Sequence, residues 1–158
     1  MKTLILTTLW AAVLCATGLS NQAFGQNRRL QQLLEGASRV DCSFSTLTTS
    51  DWGEGETSAA VTPAEFELAF YDINTDEGTA EAEGRFGASF VVVRFTYVYL
   101  HFMQMFSAGP LYVTTILAHE TTEGRFKAVH TRHEYSPTII PGFTSRPETY
   151  IGDCAVSE

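Results

Sequence analysis

From Val40 onward the apolar residues recur at every second position, and glycine-containing turn segments break the runs about every ten residues. A period of two places alternate side chains on opposite faces of a strand, so the pattern predicts short antiparallel strands joined by hairpins. Strands are expected at Val40–Thr46, Glu65–Tyr71, Thr79–Arg85, Ser89–Phe95, Tyr97–Met105, Leu111–His119 and Arg125–Glu134. Between them, Asn74–Gly78, Gly84–Gly87, Ser107–Pro110 and Glu120–Gly124 each carry a glycine that a tight turn can use. These links are too short for crossover connections. The expected fold is therefore all-β, an antiparallel meander forming a barrel or a strongly curved sheet, and closure would remove the exposed edges.

Two stretches interrupt the pattern. Leu47–Pro63 is rich in Thr, Ser, Gly and Glu and reads as a long loop, with a short strand around Ser58–Val61. Ser136–Thr149 carries Pro137, Pro141 and Pro147, which excludes a central strand and predicts an extended surface wrap. Ahead of the strands, Leu30, Leu33 and Leu34 share one helical face and Gly36 would stop the helix. Residues 26–39 are thus a short helix or a flexible N-terminus, and 40–158 a single antiparallel β domain.

The first 25 residues read as a secretory signal peptide. Lys2 supplies the positive end, Leu4–Cys15 the apolar stretch, and Ala23 and Gly25 the small residues required for cleavage before Gln26. Cleavage after Gly18 is the alternative. The apolar stretch is shorter than the ~20 residues that cross a bilayer, so no membrane span is expected after cleavage. Leu14 is too bulky to precede a lipidated Cys15. The expected location is exported, periplasmic or extracellular.

Loss of Cys15 leaves Cys42 and Cys154, one at each end of the β domain. Export to an oxidising compartment predicts a disulfide between them. Closing so long a loop would stabilise the fold by about 4 to 5 kcal/mol in the chain-entropy account. The formal charge is −8, and Arg28–Arg29 is the only basic pair expected to remain after cleavage. Nucleic acid and anionic membrane surfaces, which need basic footprints, are not expected partners.

The four histidines, His101, His119, His130 and His133, suggest a metal site with Glu120 and Glu134. Strand geometry opposes it. Pairing across Glu120–Gly124 separates His119 from His130 by about 16 Å at 3.3 Å per residue, and His130 and His133 fall on opposite faces. The carboxylates Asp51, Glu54, Glu56, Asp72, Asp76 and Glu77 lack the spacing of a twelve-residue calcium loop. No metal and no cofactor is expected.

Carried through Ser107–Pro110, the same pairing sets His101 opposite Ile116 and Ala128. One face then collects Tyr99, His101, Met103, Tyr112, Thr114, Ile116, Phe126, Ala128, His130 and Arg132. The other face collects Leu100, Phe102, Val113, Thr115, Leu117, Lys127 and Val129. If the first face points inward, Tyr99, His101, Met103, Tyr112, Thr114, Phe126, His130 and Arg132 line a ligand cavity. His101, His130 and Arg132 would orient a polar or anionic head group. A single slip of register exchanges the faces and makes these residues a solvated surface. No nucleophile stands beside an orienting base, so catalytic residues are not identified.

The run GRFKAVHTRHEY at Gly124–Tyr135, with the cysteine-bearing ends VDCSF (Val40–Phe44) and YIGDC (Tyr150–Cys154), resembles small exported bacterial proteins of uncharacterised function. That resemblance implies no site residues. Lipocalin-like barrels are similar in size and strand count, but their Gly-x-Trp signature is absent, because Trp52 is followed by Gly53 rather than preceded by a matching glycine. Three functions are compatible with the sequence. The first is a small-ligand-binding barrel for a partly apolar ligand. The second is an envelope protein–protein interaction module, and the third a barrel isomerase or hydrolase using His101 and His130. The oligomeric state is not encoded in any pattern.

Overall fold

The computed structural model describes residues 27–52, 56–84, 87–138 and 145–158. The expected signal peptide, 1–25, lies outside the described residues, as do Gln26, Gly53, Glu54, Arg85 and Pro141. A helix, α1 (27–35), precedes eight strands: β1 (Arg39–Trp52), β2 (Thr57–Asn74), β3 (Thr79–Gly84), β4 (Gly87–Thr96), β5 (Tyr99–Met105), β6 (Leu111–Glu120), β7 (Phe126–His133) and β8 (Glu148–Ser157). Each strand pairs antiparallel with the next, and β8 returns to β1, closing the barrel. The all-β meander expected from the period of two is the observed fold.

Alternation decides what fills the barrel. Val40, Cys42 and Phe44 of β1 point inward, as do Leu100 and Phe102 of β5, Thr114 and Ile116 of β6, and Phe126, Ala128 and His130 of β7. Phe70 and Phe102 stack across the interior with ring centroids 3.8 Å apart. At one end α1 lays Leu30 and Leu34, both buried, over the opening, and Thr75 Oγ1 donates to the Glu35 carbonyl at 3.2 Å. Here Cys42 and Cys154 stand opposite each other in the β1–β8 register, with sulfurs 2.03 Å apart. The β1–β8 seam is thus joined covalently as well as by its ladder.

Two expectations are corrected. Over Leu47–Trp52 and Thr57–Thr62 the expected loop is instead the outer half of the β1–β2 hairpin, paired from Leu47↔Thr62 to Trp52↔Thr57, and the short strand expected at Ser58–Val61 lies within it. Threonine-rich composition suits an exposed ladder as well as a loop, and residues 57–63 are exposed on both faces. The surface wrap expected to run to Thr149 ends sooner. Its prolines stop at Pro147, and β8 starts at Glu148, pairing with both β7 and β1.

A bulge between Phe44 and Thr46 shifts the β1 register on both sides, so Leu47 rather than Thr46 lies opposite the inward Tyr150. Gly152 crosses this bulge. A Cβ there would sit 2.0 Å from the Ser43 carbonyl oxygen and 2.6 Å from Phe44 Cα, so the close approach needs glycine. The six-residue β3 pairs with β2 only from Ala69 to Asn74. The stretch Thr57–Leu68 is therefore paired only to β1, and the barrel wall is notched at the end opposite α1.

Candidate functional site

At the notched end, which we call the mouth, the inward rows of β2, β6, β7 and β8 end in polar and aromatic residues. The β6–β7 register sets Tyr112 opposite Arg132 and Thr114 opposite His130, and the β7–β8 register sets His130 opposite Tyr150 and Arg132 opposite Glu148. All of these positions share the inward parity. Their side chains must either satisfy one another or meet solvent at the mouth.

The Arg132 guanidinium lies among three rings, its carbon 4.7 Å from the centroid of Phe66, 5.1 Å from Tyr150 and 5.3 Å from Tyr112. These distances suit cation–π contact. Its Nη1 donates to Glu148 Oε2 at 3.3 Å, and its Nε donates to His130 Nε2 at 3.3 Å. Among the described residues no acceptor meets Nη2, and the side chain is 20% exposed. The guanidinium thus retains donor capacity toward the mouth.

Arginine has no acceptor, so the contact fixes His130. Nε2 must be the unprotonated, accepting nitrogen, and the proton resides on Nδ1, donated to Thr114 Oγ1 at 2.8 Å. Burial, and then the neighbouring Arg132 charge, hold His130 down to about 3, so it is neutral at physiological pH. Tyr150 donates to Glu148 at 2.8 Å, and burial with that carboxylate pushes it up to about 12. Tyr112 donates to Glu134 at 2.7 Å and is likewise raised by burial and its carboxylate. Beside this cluster an open groove of about 450 Å³ runs along the rim, lined by Ala108, Gly109, Pro110, His133, Glu134, Tyr135 and Ser136. Glu134 belongs to both, since it lines the groove and holds the Tyr112 hydroxyl.

Of the eight residues expected to line a cavity, Tyr112, Thr114, His130 and Arg132 meet in this cluster. Phe126 also points inward, but at the α1 end, opposite Cys154. Tyr99, His101 and Met103 are corrected to the outer surface. The β5–β6 turn holds five residues, 106–110, closed by Phe106 N–H donating to the Pro110 carbonyl at 3.0 Å, whereas a turn beginning at Ser107 would hold four. Leu100, not His101, consequently faces Ile116. Every β5 side chain changes face with that slip. Outside, His101 Nδ1 lies 3.0 Å from Thr115 Oγ1, the ring stacks on Tyr99, and partial burial lowers its pKa.

The interior is also fuller than a ligand cavity would be, because Phe44, Phe70, Phe102, Leu100 and Ile116 occupy it. Sequence reading missed Phe66, Glu148 and Tyr150. The alternation of Glu148, Tyr150, Gly152 and Cys154 was the available signal for β8, obscured by the prolines just before it. Among the described residues no group of three or more His, Cys, Asp or Glu is placed to hold a metal ion.

Comparison with known proteins finds no matching protein family, no matching curated protein and no matching solved structure.

Proposed function

We propose that this chain is an exported barrel protein that binds a small, partly apolar molecule at the mouth rather than deep in the barrel. The observation that carries the reading is Arg132, held among Phe66, Tyr112 and Tyr150 with its Nη2 directed to no protein acceptor among the described residues. Groups with displaced pKa values gather at this one opening, an arrangement that functional sites share with buried polar networks. A ligand lying in the rim groove would place its apolar part against the aromatic side chains and accept a hydrogen bond from the guanidinium. Glu134 and Glu148 disfavour a strongly anionic head group, so a neutral polar one fits best.

Export is supported by the paired cysteines, which suit an oxidising compartment. No helix among the described residues is long and apolar enough to cross a membrane. Asp41, Glu67, Glu81 and Glu83 lie on the outward rows of β1–β3, where a lipid-facing barrel presents an apolar band.

The test uses an aromatic probe, phenol, titrated into the protein while tyrosine and His130 resonances are followed by NMR. Saturable shifts of Tyr112, Tyr150 and His130, weakened about tenfold by Arg132→Gln, support the proposal. Shifts absent from these three residues in the wild type, at concentrations where the probe contacts other surface sites, overturn it.

A further inference from the structure

The correction at β5 leaves an outward face that the mouth site does not use. In register order, Val92 of β4 lies beside Met103 of β5, which lies beside Val113 of β6. One step nearer the mouth, Met105 pairs with Leu111, and Phe90 follows Val92 on the same outward row of β4. Six apolar side chains thus adjoin on three neighbouring strands. Phe90 is 81% exposed and Met105 79%. A monomer rarely leaves such a contiguous patch to water.

Charge around the patch is unequal. Along β3 it is bordered by Glu81, opposite Phe90, and Glu83, opposite Ala88. At the α1 end it is bordered by Arg94, opposite His101. Arg94 forms no ion pair among the described residues; its Nη1 donates to the Val93 carbonyl at 2.8 Å. A two-fold axis lying in the plane of the face and running diagonally across the strands would bring the β3 border of each copy over the α1-end border of the other. Glu81 and Glu83 would then face Arg94 reciprocally, around an apolar centre, which is the self-complementarity that an isologous contact requires. The outward carboxylates of β1 and β2, Asp41 and Glu67, lie on the far side of the barrel, away from the contact.

We infer that the outward face of β4–β6 is the interface of a two-fold dimer of this chain, with Phe90 and Met105 at its centre. The aromatic and methionine content matches the buried centres of interfaces, and the acidic and basic borders form the rim.

The inference is tested by sedimentation equilibrium of the purified wild-type protein beside Phe90→Glu, Met105→Glu, Glu81→Arg and the double variant Glu81→Arg, Arg94→Glu. Both apolar positions are exposed, so unchanged far-ultraviolet circular dichroism is expected in those variants. The wild type should sediment as a dimer in the micromolar range. Phe90→Glu and Met105→Glu should each weaken it about tenfold or more, and the double charge variant should recover affinity lost in Glu81→Arg. A wild type that stays monomeric at millimolar concentration overturns the inference. So does a dimer indifferent to Phe90→Glu and Met105→Glu, or association seen only when a different protein is present.

Discussion

His130 is buried, neutral and hydrogen-bonded at both ring nitrogens, and this has a measurable consequence. Its folded-state pKa, about 3, lies below the ordinary value of 6.5, so the unfolded chain binds more protons between those limits. Its contribution to stability is therefore complete above about 6.5, lost as pH falls toward about 3, and level below that. The limiting slope is about 1.4 kcal/mol per pH unit. In thermal melts between neutral pH and pH 4, wild type should lose stability faster than His130→Gln, whose side-chain carbonyl can still accept from Arg132. Parallel losses in the two proteins would show that the imidazole is not held neutral. Arg132→Met removes the partner of a largely buried carboxylate at Glu148 and should cost about 3 kcal/mol in denaturant unfolding. Gly152→Ala drives a methyl group into β1 backbone rather than into a movable side chain and should cost about 1–3 kcal/mol or more.

At the scale of elements, β8 and its seam with β1 carry the closure. Replacing Cys42 and Cys154 together by serine should lower stability by about 2–5 kcal/mol, read as a reduced denaturant midpoint with the strand content retained. The outer half of the β1–β2 hairpin is exposed and paired on fewer sides, so its amides from residue 57 to 62 should exchange with solvent well before those of β5–β7. Equal protection in the two regions would contradict that. These elements also mark where the sequence was legible. β3 to β7 could be read because the alternation is clean and a glycine turn closes each hairpin except β4–β5, whose two-residue turn is Tyr97–Val98 with Tyr97 at a positive φ of 53°. The outer hairpin hid in a Thr- and Ser-rich composition shared by ladders and loops, and β8 hid behind Pro147. The β5 register turned on whether Phe106 belongs to the strand or the turn, a choice decided by one hydrogen bond to Pro110 rather than by composition.

Across the whole molecule the two ends of the barrel have different chemistry. The α1 end is closed by leucines, a disulfide and stacked phenylalanines, and it stabilises. The mouth gathers one guanidinium, a neutral imidazole and two tyrosine–carboxylate pairs, where desolvating charge is costly unless it is used. Half of that cluster was visible as residue types on one face of β6 and β7. The remainder is Glu134, just past the end of β7, and residues of β2 and β8, which only closure brings alongside. Native mass spectrometry of the protein purified from its native source tests the mouth reading most directly. A reproducible small-molecule mass, released on denaturation and missing from Arg132→Gln purified in parallel, is the result expected. A wild type that carries no added mass, or one retained unchanged by Arg132→Gln, would contradict it.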